Sequence, residues 1–473
     1  MARAKLEFLS KEEIAKIHTT SIRVLEEVGA QINSEAAVKM LLDAGASMHD
    51  NGKRVLIPED LVKTSLRSAP GEFLLAAIDK SKDFRIPAKE HFYLANGGEG
   101  VFVKDLLTGE SRYATTDDVR DFTILSQEMP QIDFWWQMVG AVDQPPEKKY
   151  LTELKIAFEH TDKHIQAMAG NTAEARMTME MASIFTGGAD ELTRRPILSV
   201  VLCPLSPLTF EKGLTDAQIE FSRAGIPVIA MVASVAGLTS PATLSGTMTQ
   251  VNAENLASLV ISQVAKKGSP WVYSSDSSSG DLKTGSINYG SFETFLIRAG
   301  CGQMARHYGI PSMMTGVGME NQSPFMRDLE DGVPYAVVQS LVDSDLGSGP
   351  GGVDQAAGAS YEQYMIDLWI WDLAKGFTRT FGVDDATISF ETIRDAALDG
   401  NFLNKRHTIA SFRKEFYSVS HPKAVLTGAK SDRPAGGLVK EARAEAMKIL
   451  KAPRRPLVTK DQVEQMERIV KRA

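Results

Sequence analysis

The sequence predicts an α/β fold of the TIM (β/α)8 barrel class, with a small N-terminal α+β cap and a helical C-terminal extension. Three observations predict it. Short β-type runs occur eight times, at Phe92–Ala95, Phe134–Ala141, Ile165–Ala169, Ile197–Leu202, Val228–Val232, Trp271–Ser274, Ser312–Thr315 and Ser344–Gly347. They recur at intervals of roughly thirty to forty residues, the length of one β/α unit. Each run leads into polar or Gly-rich residues and then a helical pattern. A doubly wound sheet of similar length is the competing architecture, and the strand count favours the barrel.

The elements follow in order. Ser10 and Glu13 form a capping box ahead of a helix over 10–30 with Ile14, Ile17, Ile22, Leu25 and Val28 at mostly helical spacing. Val55–Pro58 and Glu72–Ala76 read as strands, with a helix from Glu59 to Ser68 between them. These make up the cap, residues 1–87, and the barrel occupies 88–376. Thr115 or Thr116 caps the first barrel helix, and Asn171 caps a Met-rich one. Thr215 caps another, and a further helix runs from Asn288 to His307. Residues 377–473 form the extension, mostly helical and charged, with Ala386–Ser389 its one strand candidate. It can buttress the barrel or hold a second subunit, so a homo-oligomer is left open.

Composition removes several classes of function. The 473 residues carry a net charge of −8, which gives no basic footprint for nucleic acid. No apolar run is long enough to span a bilayer, and the first residues lack a secretory apolar core. Cys203 and Cys301 are the 2 cysteines, and neither has a Cys or His at metal-ligand spacing, so no metal site is expected. A reduced, cytoplasmic protein is the expectation.

Barrel chemistry gathers at the carboxyl ends of the strands. Here those ends are small and polar: Asn96-Gly97-Gly98-Glu99, Asp143-Gln144, Gly170-Asn171, Pro204-Leu205-Ser206-Pro207, Ser234-Val235-Ala236-Gly237, Ser275-Asp276-Ser277, Gly316 to Gln322, and Asp345 to Gly352. Cations and His clusters are nearly absent, as is a lysine suited to a Schiff base. This argues against a phosphate site, a metal-dependent site or imine chemistry. Aromatic residues line the approaches: Tyr93, Trp135, Trp136, Trp271 and Tyr273. An aromatic-walled, cation-poor pocket suits a quaternary ammonium through cation–π attraction. Strand alternation lets only one of Trp135 and Trp136 face inward.

The run Asp345-Leu346-Gly347-Ser348-Gly349-Pro350-Gly351-Gly352 also reads as the glycine loop of an S-adenosylmethionine-binding fold. That fold places the loop after its first strand. Here at least six β/α units precede it, so the motif is in the wrong place.

Several segments together resemble the trimethylamine methyltransferase family, in the branch without pyrrolysine whose known substrates include glycine betaine. They are the Leu9-Ser10 helix start with Leu25-Glu26-Glu27-Val28-Gly29, the Asn96-Gly97-Gly98 strand end, the Pro204-Leu205-Ser206-Pro207 turn, the Gly309-Ile310-Pro311 strand entry, and Leu403 to Arg413 with His407-Thr408. The resemblance covers most of the chain. It implies a TIM barrel that delivers a methyl group to the cobalt of a separate corrinoid protein, with no cofactor bound directly. Pyrrolysine-bearing members carry that residue in a turn after the seventh strand. Aligning on Thr315-Gly316 puts Gln322 near that position, with Glu320 in place of the usual Asp. Glu320 and Gln322 are therefore the candidate catalytic residues.

The chemistry is consistent with that implication. A quaternary ammonium departs as a neutral tertiary amine, whereas a tertiary amine must first be activated. Glycine betaine would give dimethylglycine and stop there, and trimethylamine would not react. Proline betaine, carnitine and γ-butyrobetaine are alternative methyl donors. An S-adenosylmethionine-dependent enzyme and a non-catalytic betaine-binding barrel are the competing functions. The candidate substrate-binding residues are Tyr93, Asn96, Gly97, Trp135, Trp136, Tyr273, Gly349, Gly351, Gly352 and His407. The N–H groups of Gly349 to Gly352, read as a helix N-terminus, are the candidate donors to the betaine carboxylate, with His407 and Arg413 as others.

Overall fold

The computed structural model describes residues 4–50, 52–88, 92–316, 336–342, 344–415 and 437–473. Its centre is a closed parallel barrel. The strands are Tyr93–Leu94, Phe134–Trp136, His164–Ala167, Leu198–Leu202, Val228–Val232, Trp271–Ser275, Ser312–Met314 and Leu346–Gly347. Each pairs in parallel with the next one in sequence, and Leu346 of the last lies beside Tyr93 of the first. A parallel bridge between Ala95 and Phe134 joins the first strand to the second and closes the ring. All eight expected strands are present. The second is shorter than the run Phe134–Ala141 suggested, ending at Trp136.

Every strand is buried on both faces, so alternation decides what each side chain meets. Phe134, Trp136, Val201, Ile229, Met231, Val272, Met313 and Leu346 fill the inside. Trp135 and Tyr273 turn outward into the helical layer. There Trp135 Nε1 donates to Thr123 Oγ1 at 3.0 Å, and the Tyr273 hydroxyl donates to Asn252 Oδ1 at 3.2 Å.

One end of the barrel is sealed. The antiparallel hairpin Phe73–Leu75 and Phe84–Ile86 adds all four of its end residues to the interior cluster. The Phe84 ring lies 4.3 Å from Tyr93 and 5.9 Å from both Phe134 and His164, centroid to centroid. His164 is held between the Ala76 carbonyl, 2.7 Å from Nδ1, and Ser199 Oγ, 2.9 Å from Nε2. This is the amino-terminal end of the strands, so among the described residues the barrel interior is closed on that side.

The N-terminal helices complete the outer wall. Lys11–Arg23, begun by the expected Ser10–Glu13 capping box, and Glu59–Ser68 both pack on Leu244–Ala265. That long helix is buried along most of its length as a result. Ile17, Ile22, Leu25 and Val62 share one core with Leu256, Leu259 and Val260. At the other terminus, Gly437–Lys451 packs on Tyr361–Thr378 and Thr116–Glu128, while Lys460–Arg472 packs on Pro146–His160 and Thr172–Thr186. These two helices buttress the barrel.

Some local expectations are corrected. Thr215 is not a cap: its helix is Lys212–Ala224, and its hydroxyl donates back to the Glu211 carbonyl at 2.6 Å. Asn288 ends a short strand, and the next helix, Phe292–Tyr308, is capped by Ser291. Ala386–Ser389 is not a strand. Asp384 accepts from the Thr387 N–H and starts a helical turn at Asp385–Ile388.

Lys163 ties two layers together. Its ammonium donates to the carbonyls of Ser126, Met129 and Ile132 at 2.6, 2.9 and 2.6 Å, gathering the loose end of the helix Thr116–Glu128. Lys163→Met removes this donor from all three carbonyls, of which that of Met129 keeps the Ile132 N–H at 3.2 Å. It is expected to cost about 3 kcal/mol of stability, visible as an earlier thermal unfolding midpoint.

Candidate functional site at the barrel mouth

The mouth is unusual for the number of buried polar atoms without a hydrogen-bond partner. Asn96 Nδ2, Trp136 Nε1, both amide atoms of Gln166, Ser274 Oγ, Ser278 Oγ, Ser348 Oγ, and Nε and Nη1 of Arg298 all belong to this group. They come from the first, second, third, sixth and eighth strands or the loops after them, and from the helix after the sixth strand. Interior polar groups are normally paired, so a concentration of unpaired ones makes the mouth a candidate site for a polar ligand or ordered water.

On one side, Gly97 lets the chain turn across the Trp136 indole. Its φ is +126°, and a Cβ there would stand 2.4 Å from Trp136 Cε3. Gln166 pairs in register with Trp136 and points inward with it. Glu99, just beyond, accepts from Lys149 Nζ at 2.8 Å.

The opposite side is built around Asp276. Its Oδ2 accepts from the Tyr289 hydroxyl at 3.0 Å, and its Oδ1 accepts from Thr315 Oγ1 and, at 3.2 Å, from Arg298 Nη2. Arg298 is completely buried, and its guanidinium stacks 5.2 Å over the Tyr289 ring.

Burial sets the protonation states nearby. Cys203, after the fourth strand, has its pKa pushed up to about 12 by burial and by the charges of Asp276 and Glu99. It is a neutral thiol at neutral pH. Burial and Asp276 also raise the Tyr289 pKa, which keeps that hydroxyl a donor. Glu153 accepts from the Ala141 N–H at 2.6 Å, and burial raises its pKa to about 8. It is largely protonated at pH 7. Among the described residues, no group of three or more His, Cys, Asp or Glu side chains could hold a metal ion, and no helix is long and apolar enough to cross a membrane.

The expected site residues divide. Asn96, Gly97 and Trp136 meet at the mouth. Trp135 and Tyr273 face the helices, because alternation directs them there. Tyr93 lies at the sealed end against Phe84. The glycine loop is not a helix N-terminus: Gly352–Val353 and Gly358–Ser360 form a hairpin, and the helix begins only at Tyr361. The Gly351 N–H donates to Asp367 Oδ2 at 2.8 Å and the Gly352 N–H to the Gly349 carbonyl at 3.3 Å, so neither is open to a ligand. The same loop follows the last strand of the barrel, which is no position for an S-adenosylmethionine cradle. His407 is engaged within the extension, its Nε2 2.7 Å from Ser389 Oγ. Glu320, Gln322 and the Arg413 side chain lie outside the described residues.

Three residues central to this geometry were not singled out from the sequence: Arg298, Gln166 and Glu153. Arg298 did leave a signal. It is a lone cation within Phe295-Leu296-Ile297-Arg298-Ala299-Gly300-Cys301, a stretch otherwise fit for burial on all sides.

The fold is a closed β/α barrel with a cluster of unpaired polar groups at its carboxyl end. The description Trimethylamine methyltransferase (MTTB) fits residues 2–473, and the chain belongs to that family of methyltransferases. A trimethylamine methyltransferase of Desulfitobacterium hafniense is 31% identical over 86% of this chain and 82% of its own. A glycine betaine methyltransferase from another strain of that organism is 28% identical over 88% of this chain and 86% of its own. The solved monomethylamine methyltransferase of Methanosarcina barkeri is 12% identical with a TM-score of 0.46, covering 93% of each chain. At that score the likeness decides nothing about this molecule.

The Glu153 carboxyl gives a pH prediction. Its pKa is about 8 in the fold against 4.5 for the ordinary group. Between these values the native state holds a proton that the unfolded chain has lost. This contribution is therefore complete below pH 4.5 and is lost as pH rises through 8. Glu153→Gln should gain thermal stability relative to the parent as pH is raised through that range. Parallel stability profiles for the two proteins would show that Glu153 is ionised in the fold.

Proposed function

We propose that this protein removes one methyl group from a quaternary ammonium compound, glycine betaine first, and passes it to Co(I) of a separate corrinoid protein. The observation that carries the reading is the family match along the chain. The chemistry of the mouth supports it. The indole of Trp136 and the carboxylate of Asp276 can both favour a cation.

The reaction is a displacement at carbon. The docked corrinoid supplies the nucleophile. The carbon–nitrogen bond breaks, its electron pair stays on nitrogen, and dimethylglycine leaves as a neutral tertiary amine. No proton has to move in that step, so no general base is required. The work left to this chain is to hold the donor with one methyl group toward the opening and to keep water away. Cys203 and Glu153, both neutral at pH 7, do not compete as nucleophiles.

Mixing the protein with glycine betaine and a corrinoid protein reduced to Co(I) should convert the absorbance of the reduced cofactor to that of methyl-Co(III), with dimethylglycine appearing in equal amount. Trimethylamine should give no such change. Absence of methyl-Co(III) with glycine betaine, proline betaine, carnitine and γ-butyrobetaine alike would rule out the proposed activity.

A further inference from the structure

The Arg298 guanidinium has more donors than its surroundings use. The side chain is 0% exposed, and only Nη2 has an acceptor, Asp276 Oδ1 at 3.2 Å. Nε and Nη1 have no partner. Burying an arginine is costly, and burying one with unused donors is costlier still. Asp276 does not by itself account for the arginine being there, since the hydroxyls of Tyr289 and Thr315 also donate to that carboxylate.

Position 316 brings the chain close against the guanidinium. Gly316 follows the seventh strand with φ +124°, and a Cβ on it would lie 1.8 Å from Arg298 Nη1. Any other residue there would clash with the guanidinium. A buried cation with unpaired N–H groups fits an anionic oxygen ligand.

The pair also has a direction. Asp276 is 14% exposed at its side chain and Arg298 is 0%, so the negative member is the more accessible of the two. A small zwitterion with a carboxylate at one end and an ammonium at the other is the complement of that arrangement. We propose that Arg298 anchors the carboxylate of the methyl donor, and that it thereby restricts this protein to quaternary ammonium compounds bearing a carboxylate. The inference rests on the quaternary-amine reading above and narrows it. The carboxylate goes inward to Nη1, the ammonium lies beside Asp276, and the methyl groups face the mouth.

Calorimetric titration of the full-length chain tests this with three probes: glycine betaine, tetramethylammonium, which lacks the carboxylate, and 3,3-dimethylbutanoate, which lacks the positive charge. The parent protein should prefer glycine betaine to tetramethylammonium by roughly a hundredfold or more. Arg298→Met should abolish that preference, weakening glycine betaine alone, and Arg298→Lys should restore part of it. A merely structural arginine would weaken both quaternary ligands by the same factor, and that result would overturn the inference. So would a parent protein that binds tetramethylammonium as well as glycine betaine, or one that binds none of the three probes. These parent measurements decide the matter even if Arg298→Met fails to fold. If the parent binds only 3,3-dimethylbutanoate, and does so through Arg298, the anchor stands and the quaternary-amine reading falls.

Discussion

Register is the constraint on which this structure depends. In a parallel barrel wrapped by helices both faces of each strand are buried, and composition cannot say which face looks inward. Pairing decides it. Trp135 and Trp136 are chemically identical neighbours, yet one ends against Thr123 in the helical layer and the other against Gly97 and Gln166 inside the barrel. A shift of that strand by one residue would exchange them and would separate Trp136 from Gln166. Closure through the Ala95–Phe134 bridge leaves no free edge along which such a shift could be absorbed.

Much of the fold was legible for this reason and much of the site was not. The eight strands announce themselves as short apolar runs punctuated by Gly, Pro and polar residues. Helix starts such as Ser10 with Glu13, and Asn171, are legible because capping is a contact between near neighbours. Thr215 misled because the same hydroxyl can return to the carbonyl four residues back. The glycine loop misled for a different reason. Its N–H groups look free in sequence, but one of them is taken by Asp367 from the following helix. Arg298 was hidden because it reaches the mouth from a helix, between the ends of two strands that sequence alone cannot bring together.

The charges around the opening are arranged to remain quiet. Glu99 is paired with Lys149, Asp276 with Arg298, and Cys203 and Glu153 hold their protons. Such a lining presents dipoles and fixed pairs in place of free acid or base. It suits a reaction in which the leaving group is already activated by its own charge, and where a stray nucleophile on the protein would intercept the methyl group.

The hairpin that plugs the amino-terminal end has a consequence for the order of events. With Phe73, Leu75, Phe84 and Ile86 filling the floor, the barrel has no through passage. On the reading proposed above, donor, acceptor and demethylated product would share one opening. A macromolecular acceptor seated there would block the route by which the donor entered, and the product would depart only after the acceptor. Turnover on that reading would follow a compulsory sequence, small molecule in first and out last, and in steady state an excess of acceptor would slow the enzyme by trapping it before the donor arrives.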